Sequence, residues 1–201
     1  MRFAPGARRW ALPLLVGAVV TAFLVPPVAA VLLGLGLFAL WNFRDPERHP
    51  PTDGIVAPAD GKVSVLRKEG DQFRVGVYMN ALDVHVVRAP KKGYVDGIEH
   101  SPGANSPAFS KDSEKNERVD VDFGLFEVAL IAGWFARRIT PYVHDGDSVA
   151  KGDRLGHIAF GSRADVLLPP SIDREHLLVR EGDTVRAGET VVAEVPSKDE
   201  V

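Results

Sequence analysis

The sequence predicts a mainly β protein, in which a barrel-sandwich-like β domain follows an N-terminal hydrophobic helical hairpin. Three observations predict this fold class: an uncharged apolar run near the start, many short strand-like runs between turn residues, and one internal repeat. The 201 residues allow one compact domain with an appendage. The net charge of −3 gives no drive toward nucleic acid, and the absence of cysteine excludes disulfides, thiolate nucleophiles and cysteine-based zinc sites.

The apolar run lies between Arg9 and Arg44, and no charged residue occurs within it. Pro26 and Pro27 stand at its middle; because proline lacks a backbone N–H, they favour two helices of about 15 residues or one long kinked helix. A helix of that length measures roughly 23 Å, less than the ~30 Å of a bilayer core. We therefore expect residues 1–44 to anchor the chain as a hairpin that dips into the membrane or spans a thinned bilayer.

Positive charge on both flanks bears on the topology of this hairpin. Five arginines lie before or after the apolar run: Arg2, Arg8, Arg9, Arg44 and Arg48. Because cytoplasmic flanks carry positive charge, both ends are expected in the cytoplasm, which a hairpin satisfies and a single span does not. A cleaved signal peptide is the alternative, but the run continues through Leu40, past the possible cleavage site at Ala29–Ala30.

Residues 45–201 form the second expected domain, and most of its ordered segments have strand patterns. Short β-branched or alternating runs are separated by Gly, Pro, Asp and Asn: 63–66, 73–78, 84–87, 126–131 and 164–168. The polar segment 101–122 is expected to be a loop.

An internal repeat relates residues 143–155 to residues 179–191. Both copies follow the pattern V-x-acid-G-D-S/T-V-x-x-G-acid-x-L/V, which predicts turn–strand–turn. The pattern resembles the hammerhead turns of biotinyl- and lipoyl-type barrel-sandwich folds. Carriers, membrane adaptors and enzymes share such folds, so the repeat indicates a fold rather than a function.

Ser162 is the first candidate for chemistry, because serine and threonine are the only aliphatic hydroxyl nucleophiles and the chain has no cysteine. It follows Gly161 between two strand-like runs, and glycine tolerates the strained backbone that brings a serine hydroxyl to the preceding carbonyl. An ordinary hairpin turn is the alternative interpretation of this dipeptide.

Asp60 and His85 are the other two candidates. Asp60 lies in P-A-D-G-K, which by itself is typical of a hairpin turn. His85 lies in D-V-H-V-V-R-A-P, where strand alternation places Asp83, His85 and Val87 on one face. A packed, hydrogen-bonded strand histidine is the alternative to a catalytic one. The remaining histidines show no metal-ligand spacing, so no metal site is expected.

Five motifs occur in a fixed order after the apolar run: F-R-D-P-E-R, P-A-D-G-K-V, D-V-H-V-x-R-A-P, N-E-R and F-G-S-R-x-D-V-x-L-P. In this order the chain resembles the short form of the phosphatidylserine decarboxylase proenzyme family, from about Phe43 to Pro169. The F-G-S-R-A-D stretch is the most specific part of the resemblance.

The resemblance implies that the chain cuts itself between Gly161 and Ser162. The Ser162 hydroxyl would attack the Gly161 carbonyl, and β-elimination of the resulting ester would leave dehydroalanine, which hydrolyses to a pyruvoyl group with release of ammonia. The products would be a large chain, 1–161, and a small chain, 162–201. The pyruvoyl cofactor would bind the serine amine of phosphatidylserine and take up the carboxylate's electrons, giving carbon dioxide and phosphatidylethanolamine.

The resemblance also assigns roles to residues. Ser162 is the nucleophile and cofactor precursor, Asp60 orients a histidine base during maturation, and His85 supports decarboxylation as a proton donor. Long-form members carry a second histidine, the maturation base, where this chain has Arg88. The base is therefore either His85, serving both steps, or another histidine such as His144.

Substrate-binding candidates are Arg88, Asn116 and Arg163. Arg88 would hold the lipid phosphate or the substrate carboxylate, or it would form a structural ion pair. Asn116 belongs to the N-E-R motif in the polar loop, which is expected to flank the pocket.

A lipid substrate places the expected site at the inner cell membrane, with the active domain on the cytoplasmic face. The expected partners are phosphatidylserine and the two chains of the same proenzyme, with a homo-oligomer possible and no nucleic acid. An archaeal-type ether lipid with the same head group would undergo the same chemistry. The alternative function is a membrane-anchored barrel-sandwich adaptor or carrier without catalysis; an adaptor should contain a coiled-coil hairpin, and no such heptad pattern is present.

Overall fold

The computed structural model describes residues 2–103, 116–133, 139–158 and 161–196. The chain divides into two compact units, Met1–Glu47 and Arg48–Val201. The first unit contains β1 (Arg2–Phe3), α1 (Ala7–Thr21), α2 (Pro26–Asn42) and β2 (Arg44–Asp45).

The first unit is built around the two helices, which pack against each other along their lengths. The prolines occupy the first two positions of α2, where a missing backbone N–H has no intrahelical acceptor to lose. Gly36 lies so close to Leu15 of α1 that an added Cβ would come within 2.7 Å of its Cδ2. Strands β1 and β2 pair antiparallel, which joins the two ends of the unit. In the described part of the chain, neither helix combines the length and apolar character needed to cross a membrane.

The described residues of the second unit consist mainly of strands and include a short 3-10 helix at Arg174–His176. Its strands are β3 (Ile55–Val56), β4 (Gly61–Glu69), β5 (Gln72–Met79), β6 (Val86–Arg88), β7 (Gly93–Tyr94), β8 (Gly97–Ser101), β9 (Arg118–Asp122), β10 (Glu127–Ile131), β11 (Ile139–Pro141), β12 (Ser148–Val149), β13 (Arg154–Ile158), β14 (Ser162–Leu167), β15 (Thr184–Val185) and β16 (Val191–Ala193).

The largest sheet has the strand order β15-β4-β5-β14-β10-β9-β8, and every pairing in it is antiparallel. Strand β14 lies at its centre, between β5 and β10. Alternation along the strands gives the sheet an apolar face, which forms the core, and a charged face. The core face includes Val75, Val77, Val121, Val128, Leu130, Ala164 and Val166, all of them buried. A smaller sheet, β11-β13-β6, contributes Val87, Leu155 and Ile158 to the same core.

The internal repeat folds as two copies of the same turn–strand–turn unit, as predicted. In one copy Gly146 and Gly152 have φ values of +86° and +85°, and in the other Gly182 and Gly188 have +93° and +73°. These left-handed conformations favour glycine. The N–H of Gly152 donates to the carbonyl of Ala89. Gly188 makes the matching bond to Ala57, so each copy is attached to a different segment of the preceding chain.

The mainly β class with two helices is confirmed, and two details of the prediction are wrong. The segment 101–122 was expected to be a loop, but its end forms strand β9, because alternating Val119 and Val121 bury one face. Residues 104–115 of that segment lie outside the described residues. Strand β6 also begins two residues later than the pattern predicts. Within the described ranges the sheets are open and do not close into a barrel.

Candidate active site

The Gly161–Ser162 dipeptide lies where the chain enters the central strand of the large sheet. Gly161 adopts a left-handed backbone with φ of +67°, and Ser162 is the first residue of β14. Ser162 pairs with Met79 of β5 and is fully buried, with its Oγ 4.0 Å from the Met79 Sδ. Sequence reasoning predicted this constrained turn, because only glycine adopts such a conformation without strain.

His85 is fully buried and lies beside this turn. The backbone N–H of Gly161 donates a hydrogen bond to Nε2 of His85 across 3.1 Å. Nδ1 lies 3.0 Å from the carbonyl oxygen of Asp83. A neutral imidazole that accepts at Nε2 carries its proton on Nδ1, so Nδ1–H donates to Asp83. The Asp83 carbonyl therefore fixes the tautomer and directs the Nε2 lone pair toward the Gly161–Ser162 dipeptide.

Asp60 contacts an arginine side chain and a backbone N–H. Its carboxylate oxygens lie 2.9 and 2.7 Å from Nη2 of Arg48, and the N–H of Ala187 donates to Oδ1 across 2.8 Å. Arg48 also reaches Glu189, whose Oε2 lies 3.2 Å from Nη1. Burial raises the pKa of Glu189, but hydrogen bonds from Arg48 and from the backbone of His49 outweigh it and lower that pKa below its usual value. The orientation of a histidine by Asp60 stays a prediction.

Each of the three substrate-binding candidates donates hydrogen bonds to another residue of the second unit. Arg88 is buried, and its Nη1 donates to the carbonyl of Gly152 in a repeat turn. Asn116 is buried and donates from Nδ2 to the carbonyl of Ala132. Arg163 pairs with Asp165 through two hydrogen bonds of 2.7 and 3.1 Å. Strand alternation also places the Arg163 side chain on the face of β14 opposite to that of Ser162.

A buried charge cluster on the second face of the large sheet was not predicted from the sequence. Asp165 is at its centre, with Arg163 on the same strand and Arg74 on β5, whose Nη1 lies 3.9 Å from Oδ2. Burial raises the pKa of Asp165, and the two arginines oppose this rise. Gly76 makes room for the carboxylate, because a Cβ there would lie 2.6 Å from Oδ1. The signal that could have found the cluster is the alternation of charges with apolar residues along β5 and β14.

Two further histidines differ sharply in environment. His144, the alternative base, has a side chain that is 88 % exposed and lies 3.7 Å from Asp147 in its own turn. It is therefore not packed against the fully buried Ser162. His157 on β13 is buried, and burial lowers its pKa to about 4, so its imidazole is neutral at pH 7. Among the described residues no cluster of potential metal ligands occurs.

Comparison with known proteins decides the family. The family model of phosphatidylserine decarboxylase matches residues 35–193, more than three quarters of the chain. This chain belongs to the phosphatidylserine decarboxylase family. Three relatives of this family cover most of the chain, and the names of all three describe a proenzyme.

A putative archaetidylserine decarboxylase proenzyme from Halobacterium salinarum is 52 % identical over 94 % of this chain and 97 % of its own length. A phosphatidylserine decarboxylase proenzyme from Streptomyces griseus is 41 % identical over 94 % of this chain and 92 % of its own. A putative archaetidylserine decarboxylase proenzyme from Methanopyrus kandleri is 43 % identical over 84 % and 87 %.

Proposed function

We propose that this member of the family is a proenzyme that cuts itself at Gly161–Ser162 and then decarboxylates phosphatidylserine to phosphatidylethanolamine. The observation that carries the proposal is the hydrogen bond from Gly161 to His85, which puts a buried imidazole beside a left-handed glycine and the following serine. We also propose that the second unit has a barrel-sandwich fold, which the two copies of the repeat turn support.

Self-cleavage starts with the Ser162 hydroxyl attacking the Gly161 carbonyl carbon. Nε2 of His85 accepts the hydroxyl proton once it releases the Gly161 N–H, because its single lone pair serves one donor at a time. The same proton then passes to the departing amide nitrogen of Ser162, which leaves an ester between the two residues. His144 is a poorer candidate for this step, because its side chain is 88 % exposed whereas Ser162 is fully buried.

Loss of the Ser162 Cα proton breaks the ester, and the Gly161 carboxylate leaves as the new end of the large chain. The dehydroalanine that remains takes up water and releases ammonia, so atoms balance and no external oxidant is needed. The resulting pyruvoyl group supplies an electron-withdrawing carbonyl for the decarboxylation. Ser162 fits this precursor role, because it begins a central strand and is shielded from solvent.

We also assign to His85 the return of a proton to the substrate carbon that loses carbon dioxide. Its neutral tautomer, fixed by Asp83, is prepared for a proton at Nε2. The head group alone takes part in this chemistry, so the proposal covers both ester-linked and ether-linked lipids, in line with the names of the relatives. We assign Arg88, Asn116 and Arg163 to the support of the fold rather than to direct substrate contact.

The proposal places the enzyme at the inner face of the cell membrane, with the helix pair formed by α1 and α2 as its anchor. The many exposed apolar side chains of that pair support this location. A homo-oligomer stays a prediction. Sedimentation of the purified protein in detergent tests it.

The intact mass of the denatured protein tests the proposal. We expect two chains divided between Gly161 and Ser162, with the small chain lighter by one ammonia than a peptide that begins with serine. The Ser162→Ala variant should give one uncut chain. A wild-type chain that stays whole after incubation with phosphatidylserine vesicles would overturn the proposal and favour an adaptor without catalysis.

A further inference from the structure

The helix pair exposes large apolar side chains over its whole surface, and this surface points to a specific mode of membrane insertion. Examples are Leu12, Val19, Val20, Phe23, Leu24 and Val31, all of which are more than half exposed. Thr21 is the only residue with a polar hydroxyl, amide or charged side chain between Trp10 and Trp41. A helix that is hydrophobic all round belongs in a protein core or in a membrane.

The two helices run in opposite directions, which sets Trp10 and Trp41 at the same level. Leu15 of α1 meets Gly36 of α2, and residues nearer the connecting turn meet each other in the same antiparallel order. Trp10 near the start of α1 therefore lies at the same end of the pair as Trp41 near the end of α2. The other end of the pair is the turn of residues 22–25, which contains no polar side chain.

Arginines lie at the same end as the two tryptophans. Arg8 and Arg9 precede Trp10, and Arg44 follows Trp41. The Arg44 guanidinium lies 4.2 Å from the centroid of the Trp41 ring, and its Nη1 donates to the Trp41 carbonyl across 2.9 Å. Tryptophan and arginine are the side chains that membrane proteins place at the boundary between hydrocarbon and head groups.

The opposite end pairs several of its polar groups internally. The N–H groups of Leu24 and Val25 donate to the carbonyl of Thr21, and the Thr21 hydroxyl donates to the carbonyl of Gly17. The two prolines that begin α2 have no N–H to satisfy. Such an arrangement suits a medium without water, where an unpaired backbone group costs several kcal/mol.

We infer that the helix pair enters the bilayer from one face and turns back inside it. Trp10 and Trp41 lie at the head groups, and Phe23 lies beyond the midplane without reaching the opposite head groups. The 13 steps from Trp10 to Phe23 along the helix rise about 20 Å, which exceeds half of the ~30 Å core but not the whole of it. Both ends of the pair therefore leave on the same face. The inference rests on the membrane location in the proposed function and specifies its geometry.

Single-cysteine labelling tests this geometry, because the chain contains no native cysteine. Three variants of the full-length protein are reconstituted in phosphatidylglycerol–phosphatidylethanolamine vesicles: Phe23→Cys at the turn, Phe3→Cys at the base, and Leu125→Cys as an exposed control in the second unit. A membrane-impermeant maleimide is applied either outside or inside the vesicles. A nitroxide on Phe23→Cys then reports its depth.

We expect Phe3→Cys and Leu125→Cys to react from the same side. Phe23→Cys should react from neither side until the vesicles are dissolved and the protein denatured, and its nitroxide should report a position near the midplane. Reaction of Phe23→Cys from the opposite side would mean that the pair crosses the membrane, and reaction from the side of Leu125→Cys would mean that it lies on the surface. Either result overturns the inference.

Labelling does not depend on catalysis, so the two proposals fail separately. Phosphatidylethanolamine formation is measured with the same variants in phosphatidylserine–phosphatidylglycerol vesicles, which contain the substrate and no product at the start. A protected Phe23→Cys in an inactive protein supports the insertion geometry and counts against the enzyme, whereas an accessible Phe23→Cys in an active protein does the reverse.

Discussion

Arg48 binds both carboxylate oxygens of Asp60 through a single nitrogen, and this pair connects what would become two separate chains. After a cut at Gly161–Ser162, Arg48 and Asp60 belong to the large chain, whereas Ala187 and Glu189 belong to the small chain. The side chains of Arg48 and Asp60 are only 7 % and 16 % exposed, so the pair is shielded from most of the screening that weakens surface ion pairs.

We expect Asp60→Asn to lower stability, because it leaves the Arg48 guanidinium with one carboxylate partner. The loss should be about 2–3 kcal/mol, at or below the lower end of the range for breaking a fully buried pair, since Glu189 remains. Thermal unfolding of the uncut Ser162→Ala chain in detergent measures it. The double variant Arg48→Met, Asp60→Asn should recover part of the loss and should still cut itself on a wild-type Ser162. Failure to cut in both variants would instead support the role that the family resemblance gives to Asp60.

Replacement of His85 should slow self-cleavage much more than replacement of Asp60. We expect His85→Ala to slow cleavage by roughly 10²–10⁴-fold, the usual contribution of a positioned acid–base group. Accumulation of the uncut chain on a denaturing gel measures the rate. His144→Ala is the matched control and should cut normally, because its side chain is 88 % exposed. A normal rate for His85→Ala would place the base elsewhere.

Gly161→Ala probes the left-handed turn before the cut. Apart from its chain neighbours, a Cβ at this position would have no described atom within 4 Å, so the substitution mainly changes backbone strain. We expect slower cleavage by about tenfold, because a left-handed alanine costs roughly 1–2 kcal/mol and the turn would relax away from His85. Gly161→Asn should retain more activity, since asparagine tolerates this conformation. Equal rates for the two variants, measured by mass spectrometry over time, would show that the turn geometry does not matter.

His157 should make the fold sensitive to acid. Its pKa is about 4 in the folded protein and about 6.5 in the unfolded chain, so below pH 6.5 the unfolded state binds a proton that the folded state does not. Stability is therefore complete above about pH 6.5 and is lost as the pH falls toward 4, with about 2 kcal/mol lost between pH 7 and 5. His157→Gln should flatten this part of the stability profile, and His144→Gln should not. An unchanged profile for His157→Gln would contradict the assignment.

The features that sequence reasoning predicted are those that local chemistry determines. Alternation of valines with polar residues identified β4, β5, β10 and β14, because a half-buried strand needs that period. The glycines of the repeat identified the turns, since left-handed backbone favours glycine. A turn signal identified Gly161, whereas the roles of Ser162 and His85 came from the family resemblance, because a lone histidine in a strand pattern is typical of a packed residue.

The features that it missed depend on contacts between residues far apart in the chain. Ala187, which donates to Asp60, is 127 positions away from it, and no local pattern indicates such a partner. Arg163 and Asp165 were close enough in sequence to suggest a pair, but Arg74 joins them only through the register of β5 with β14. The carbonyl of Asp83, which orients His85, is a backbone group and leaves no signature in the residue type.

The attachment of residues 182–190 to residues 57–63 implies that the later segment must be synthesised before the proposed cut can occur. Val63 donates to the carbonyl of Asp183, and Ala57 donates to that of Thr190. The ribosome makes residues 182–190 only after it has made Ser162, so the surroundings of Asp60 and the edge of the large sheet are incomplete while that serine is being added. The proposed cut would then occur after synthesis of this later segment, and a nascent chain halted soon after Ser162 would stay whole.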